Sequence, residues 1–195
     1  MSKEGKTGVS ANTPKNIMFG AGTIHKGLKY TGNAWNFDST IVGATSGGSK
    51  LSIVPEITNI EVDGALVKAK GLTVKTGETA SMEINFIELT KDIIKTATIG
   101  ADGTSDDATN YDVIESKANI ATGDYWENIA FVGKTLEGKN IIAIMDNALC
   151  TSGFEQEGKN KEGAVGKYTF ECHADLTSDL DKLPWHIYFP KASEI

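Results

Sequence analysis

The sequence contains no arginine. All 19 basic residues are lysine, and they stand against 26 acidic residues, which gives a formal net charge of -7. Arginine is the usual bidentate reader of phosphate and bases, and affinity for nucleic acid comes mainly from cationic side chains that displace counterions. Both features argue against tight binding to nucleic acid. An AT-rich genome, which favours lysine codons, explains the missing arginine at least as well.

Proline, cysteine and long apolar runs are also scarce. With 4 prolines and 21 glycines in 195 residues, the chain favours many turns over long helices. Cys150 and Cys172 are expected to be free thiols, because lone cysteines are usually buried small hydrophobes. The polar start carries no secretory signal and no stretch is long enough to span a membrane, so we expect a soluble protein made in the cytosol.

The remaining composition indicates one β-rich globular domain. Residues 1–14 are polar and end at Pro14, which predicts a flexible N-terminal arm. Residues 15–195 have the apolar content and length of a single domain with one core. The arm should have no slow-exchanging amides at residues 2–12 in a monomer, since its composition cannot offset the entropy cost of ordering.

Alternation of apolar and polar residues predicts the strands. Met82, Ile84 and Phe86 alternate with polar neighbours, so one face of that strand should meet the core. Glycines interrupt residues 17–28, which indicates a bulged or edge strand. Asp63-Gly64 favours a type I′ hairpin between flanking strands. Further strands are predicted at 39–43, 50–62, 65–72, 111–116, 127–134, 139–150, 167–176 and 185–189, with a hairpin turn at 135–138.

Two segments are predicted to be exposed loops. Residues 151–166 form a charged, glycine-rich excursion. The other segment is too long and too rich in small residues for a tight hairpin, so it should project from the sheet and be mobile in the isolated subunit. It consists of Gly43, Ala44, Thr45, Ser46, Gly47, Gly48 and Ser49.

One short helix is predicted after Thr90. Thr90 is the expected N-cap, Asp92 lies in the first turn where a carboxylate opposes the helix dipole, and Gly100 ends the helix. Ile93, Ile94 and Ala97 should face inward.

No catalytic, metal or cofactor site is predicted. Gly20-Ala21-Gly22 lacks the third glycine and the helix of a dinucleotide-binding loop. The histidines have no helical zinc-site spacing, and adjacent Cys172 and His173 should point to opposite faces of a strand. Two further patterns also fall short: Asp102, Asp106 and Asp107 lack the spacing of an EF-hand, and Ser46-Gly47-Gly48 lacks the flanks of a nucleophile elbow.

Three stretches, in order along the chain, carry a resemblance to a known family. They are NIMFGAGTIHKG, then IVGATSGGSKLSIVPEITNIEVDGALVKAKGLTV, then MEINFIELTKDIIKTATIGA. Together they resemble the major tail (tail tube) proteins of siphophages and related prophages of Gram-positive bacteria. The resemblance covers about residues 16–100, and its most specific part is the G-A-T-S-G-G loop followed by P-E-x-x-x-I-E-V-D-G.

The resemblance implies a β-sandwich with one short flanking α-helix and no catalytic residue. It implies a homo-oligomer of hexameric rings that stack into a tube, with tape-measure and tail terminator proteins as partners. Viral DNA would pass through the tube without specific binding. The subunit would be assembled in the host bacterial cytoplasm and end in the virion tail, with the loop 43–49 contacting a neighbouring subunit or ring.

Two alternatives stay open. The first is a non-catalytic β-sandwich that binds carbohydrate or mediates surface adhesion, with Trp35, Trp126 and Trp185 as sugar platforms. Core packing or subunit contact explains the same tryptophans. The second is a hydrolase on a β-sandwich, which needs a clustered acid, base or metal site that the sequence does not show. Growth into rings or tubes at high concentration would distinguish a tail subunit from a binding module.

Overall fold

The computed structural model describes residues 8–191, and within them the chain is mainly β, with 43% strand and 9% helix. Two short α-helices are present, α1 at Thr13–Asn16 and α2 at Lys91–Ala97. The strands are β1 Met18–His25, β2 Tyr30–Thr31, β3 Ala34–Trp35, β4 Thr45–Asn59, β5 Thr73–Phe86, β6 Ala101–Gly103, β7 Val113–Glu115, β8 Trp126–Thr135, β9 Asn140–Cys150, β10 Gly166–Cys172 and β11 Trp185–Tyr188.

Seven strands form one antiparallel sheet in the order β1-β8-β9-β10-β5-β4, with β11 pairing with β9 beside this path. The sheet curls, so that the segment before β4 reaches the far end at β1. Lys26 N donates to the Thr40 carbonyl at 2.8 Å, and Val42 N donates to the Ile24 carbonyl at 3.0 Å. The mainly β class with one flanking helix is confirmed, and the layers of the expected sandwich belong to one curled sheet.

The main core lies inside the curl. Met82, Ile84 and Phe86 of β5 are buried as their alternation predicts, and β10 presents Tyr168 and Phe170 to the same space. Trp126 packs against Phe170 with ring centroids 4.7 Å apart. Removing these apolar surfaces from water is the main contribution to folding.

A second, smaller core lies on the outer face of β8 and β9. Trp35 and Phe37, from the β2–β3 hairpin and the turn after it, pack against it. Strands β8 and β9 are therefore buried on both faces, which explains their almost continuous apolar sequences. The second core consists of Leu28, Ala130, Val132, Ile142 and Ile144.

Helix α2 packs against the main core as the sequence predicts. The Thr90 hydroxyl accepts a hydrogen bond from Ile93 N, and Ile93 and Ala97 are buried. Trp126 Nε1 donates to Thr96 Oγ1 at 2.7 Å, which links the helix to β8.

The helix ends differently from the prediction, because the left-handed residue is Ile99 and not Gly100. A Cβ on Gly100 would lie 2.7 Å from the side chain of Ile114, so glycine permits close packing there.

Several predicted strands are shorter than their sequence patterns or absent. Of residues 39–43, only Ile41 pairs, in an isolated bridge with His25. Residues 65–72 form a turn region outside any strand, and β10 ends at Cys172, which leaves Leu176 89% exposed. In the last strand, Ile187 and Phe189 are exposed, so that alternation does not mark a core face. Period-2 patterns place residues on faces, but they do not show whether a second layer covers the face.

The N-terminal arm is partly outside the described residues. Residues 1–7 are not described. The end of the predicted arm overlaps the first two residues of α1, Thr13 and Pro14. Strand β1 follows and is irregular between Phe19 and Thr23, at the end of the sheet, so the expectation of a bulged edge strand is confirmed.

We predict that His25 makes stability depend on pH. His25 is 2% exposed, and its ring lies between Thr23 Oγ1 at 2.8 Å and Thr40 Oγ1 at 2.9 Å, where burial lowers its pKa from 6.5. As the pH falls below about 6.5, the unfolded chain therefore binds more protons than the folded chain. The free energy of unfolding should decrease as the pH decreases there, by at most about 1.4 kcal/mol per pH unit.

Urea titrations at a series of pH values measure this dependence. His25→Gln should lower stability at neutral pH but flatten the decline between about pH 7.5 and 5.5. His186→Gln, which changes an exposed histidine, is the control and should keep the decline. An unchanged slope in His25→Gln would assign the pH dependence to other groups.

Candidate assembly surface

The segment predicted to be a projecting loop is mostly part of β4. Thr45 to Ser49 lie in the strand, and the pairing with β5 moves from Thr45 with Phe86 to Ser49 with Ile84. Two extra residues on β4 are absorbed in this bulge. The prediction of a free loop over 43–49 is therefore wrong in its structure, whereas its contact with a neighbouring subunit stays a prediction.

Glycine and local hydrogen bonds make the bulge possible. Gly47 and Gly48 have φ of +85° and +81°, a conformation that side chains disfavour. Asn85 Nδ2 donates to the Gly48 carbonyl at 3.0 Å, and Glu88 accepts from Ala44 N at 2.9 Å. The small residues thus form a bent strand, which is bonded within the subunit to β5 and to Glu88 just after β5.

The outer part of the β4–β5 hairpin carries no buried residue. We call residues 54–78 the hairpin arm. At its tip, Leu66 is 99% and Val67 is 79% exposed. Its exposed large apolar residues are Val54, Ile57, Ile60, Val62, Leu66, Val67 and Val74.

The arm also has an open edge. The sheet path ends at β4, and the bonds of residues 40–42 to β1 precede the strand, so they do not cover its outer length. At the other end of the path, no strand among residues 8–191 pairs with the outer side of the first half of β1, where Phe19 is 72% exposed. Unpaired strand edges are templates for pairing with another chain.

A third surface is the outward face of the sheet over β4, β5 and β10, which we call the polar face. Glu83 lies at its centre between Lys50, 3.2 Å away, and Lys167, to which it is also bonded. These hydrogen bonds, first that of Lys167, lower the pKa of Glu83. The polar face consists of Lys50, Ser52, Ser81, Glu83, Asn85, Lys167, Thr169 and Glu171.

The structure does not bring the remaining candidate residues together into a site. Among residues 8–191, no group of three or more histidine, cysteine or acidic residues is arranged to hold a metal. Asp102 bonds Lys91 at 3.1 Å and Lys95 at 2.5 Å, and these lysines lower its pKa. Gly20 and Gly22 lie within β1 at positive φ.

The cysteines are buried and free, as expected from the sequence. Burial raises the pKa of Cys172 to about 12, so its thiol is protonated and unreactive at neutral pH. The neighbouring His173 contacts Tyr125 edge to face.

The three tryptophans have different surroundings. Trp126 is 2% exposed and belongs to the core. Trp185 Nε1 donates to Glu78 Oε2 at 3.0 Å, at the base of the hairpin arm. Trp35 is half-buried and lines an open groove with other aromatic rings. Sequence reasoning did not find the exposed tip of the arm, although Leu66 and Val67 beside Asp63-Gly64 were a visible signal.

No helix among the described residues has the length and apolarity needed to cross a membrane.

We predict that the bulge depends on its glycines. Gly47→Ala and Gly48→Ala should each lower the free energy of unfolding by about 1–2 kcal/mol, because a Cβ at positive φ is strained. Gly158→Ala is the control: it lies in open space without positive φ, and it should change stability by less than about 0.5 kcal/mol. Chemical denaturation of the three variants decides the matter, and three equal stabilities would contradict the prediction.

Comparison with solved structures finds similar chains in gene transfer agent (GTA) particles. A chain of the tail of an empty GTA particle, from helical refinement with C6 symmetry, has a TM-score of 0.42 and 11% identity over 88% of this chain and 96% of its own. A chain of the native GTA virion has a TM-score of 0.41 and 12% identity, over 80% of this chain and 92% of the virion chain. No protein-family model and no curated protein matches the sequence, so these similarities establish no family.

Proposed function

We propose that the protein is a structural subunit of the tail tube of a long-tailed bacteriophage, and that it acts by self-assembly without catalysis. The observation that carries the proposal is the hairpin arm, a long two-stranded extension with exposed apolar side chains and an open edge. The sequence resemblance over residues 16–100 supports the same function.

The arm needs a partner surface. Fixing a backbone residue costs about 1–2 kcal/mol. None of residues 54–78 is buried, so little burial within the subunit offsets this cost. Burying side chains such as Leu66 and Val67 contributes about 1.5–3 kcal/mol each. The occupant that we propose is a second copy of the chain, because each copy offers both an arm and further open strand edges.

The two open edges differ from each other, and this difference selects the type of assembly. An edge at β4 of one copy pairing with β1 of the next is a head-to-tail contact. Such heterologous contacts close into rings when the rotation between copies closes. Six copies per ring, stacking of rings into a tube, and contacts of residues 43–49 with a neighbouring copy complete the proposal, as the resemblance implies.

The polar face suits the wall of a passive DNA conduit. Both of its lysines bond Glu83, so neither adds an unpaired positive charge that would retain phosphate. The rest of the face consists of serine, threonine and asparagine with one further carboxylate, Glu171. We therefore propose that this face lines the tube, with DNA passing through unbound.

The remaining roles follow from this function. Tape-measure and tail terminator proteins would set the tube length, the virion tail would be its final location, and assembly would occur in the host cytoplasm. The protein would need no cofactor.

We predict that the arm tip is required for assembly and not for folding. Leu66→Ser combined with Val67→Ser should leave the free energy of unfolding within about 0.5 kcal/mol, because both residues are exposed in the subunit. Tubes should fail to form at high concentration, as seen by light scattering and negative-stain microscopy.

The matched control is Leu176→Ser, which removes a leucine outside the arm that is 89% exposed, and it should leave assembly intact. Tubes of normal length from the double variant would reject the role of the arm tip.

We also predict that tubes do not retain double-stranded DNA at about 0.15 M salt. Glu83→Gln frees Lys50 and Lys167 and should produce DNA retention that weakens steeply as salt rises. Glu137→Gln makes the same change of charge in the turn between β8 and β9, and it should retain nothing. Retention by unmodified tubes in a filter-binding assay would reject the passive conduit.

A further inference from the structure

An open groove lies on the outer face of β8, β9 and β11, on strands other than those of the polar face and the hairpin arm. Its volume is about 410 Å³, which is within the usual range for small-molecule sites. The floor includes Leu28 and Ile144 of the second core, so the groove is built on a packed base. The function proposed above makes no use of it.

Aromatic rings form one wall of the groove. Trp35 meets Tyr188 edge to face at 4.9 Å and Tyr30 at 5.4 Å, while Phe37 supports it from the second core at 6.3 Å. Tyr30 and Tyr188 are about half exposed, so the cluster keeps its rings open to solvent. Three rings fixed against each other offer a rigid apolar platform with little conformational entropy to lose on binding.

Polar side chains form a second part of the groove lining, which we call the polar wall. Asp146 Oδ2 and His186 Nε2 lie 3.1 Å apart, and Asn128 stands opposite Asp146 on the neighbouring strand. Asn128 has a left-handed backbone with φ of +48°, and the pairing of β8 with β9 is interrupted there. The Asn128 carbonyl accepts a hydrogen bond from Leu28 N instead, and Asp146 N donates to the Pro184 carbonyl. Among the described residues, no group forms a hydrogen bond with the side-chain amide of Asn128, so this amide can bond a ligand.

The chemistry of the two walls selects among ligand classes. The lining carries one lysine, Lys29, against one carboxylate, Asp146, so it offers an anion such as phosphate no excess of positive charge. The polar side chains disfavour a purely apolar ligand. A pyranose ring has apolar C–H faces that stack on aromatic rings and equatorial hydroxyls that bond carboxylate, amide and imidazole groups. We propose that this groove binds a neutral saccharide, with Trp35 as the platform and Asn128, Asp146 and His186 as the hydroxyl partners.

This assignment gives only one of the three tryptophans a role in binding. Trp126 is inside the core and Trp185 is bonded to Glu78, so Trp35 carries the sugar contact. The groove is independent of tube formation, since it uses neither the arm nor the open edges.

Heteronuclear NMR on the whole protein tests the proposal. The probes are maltotetraose, cellotetraose and the tetramer of β-1,4-linked N-acetylglucosamine, each titrated to about 10 mM. At least one should saturate, with shifts centred on the Trp35 indole, Tyr30 and Asn128. Trp35→Ala should weaken that sugar at least about tenfold, while Tyr111→Ala, which removes an exposed ring elsewhere, should leave the affinity unchanged.

A second variant covers a loss of structure in Trp35→Ala. Asp146→Ala keeps the aromatic platform and should also weaken binding several-fold, with the spectrum otherwise retained. The absence of a saturable shift with all three sugars overturns the proposal. Binding whose affinity is unchanged in both Trp35→Ala and Asp146→Ala also overturns it. Tetramethylammonium, titrated in parallel, should produce no saturable shift at Trp35; tighter binding of this cation than of any sugar would assign the groove to cations instead.

Discussion

The hydrogen bonds between residues 40–42 and the end of β1 are the constraint on which the rest of the structure depends. They bring the two ends of a seven-stranded sheet together, and the main core fills the space that this closure encloses. His25 lies at this junction, with its ring between two threonine hydroxyls. Because the closure involves a short segment before β4, it leaves the outer length of that strand with a free edge. A closed body and an open arm thus follow from one local contact.

Much of the body could be predicted from the sequence, because its strands obey simple rules. Alternation identified the core faces of β5 and β10, and Thr90 identified the start of α2. The same rule failed at Leu176 and Ile187, where no layer covers the apolar side. Local patterns report the face of a strand, whereas burial depends on distant parts of the chain that the pattern does not contain.

The candidate surfaces were less predictable for the same reason. Residues 43–49 have the composition of a loop, yet positive φ at Gly47 and Gly48 lets them continue β4 as a bulge. At Asn128, one left-handed residue shifts the alternation of β8, so that Trp126 and Ile129 face the same core. Neither feature follows from hydrophobic period. Asn128 also lines the groove at Trp35, so the sequence could name the tryptophan as a platform but not this polar neighbour.

In the proposed assembly, a subunit with an exposed apolar arm must remain dispersed until it meets its own copies. The tip residues Leu66 and Val67 lie close to Lys68 and Lys70, and charges beside open strands oppose unspecific pairing. The net charge of -7 adds a repulsion between copies that is weak at any one contact and acts over the whole surface. Only an approach that buries the arm and pairs an edge together gains enough to offset it. In the proposed assembly, the net charge therefore contributes to selecting the ordered contact over aggregation.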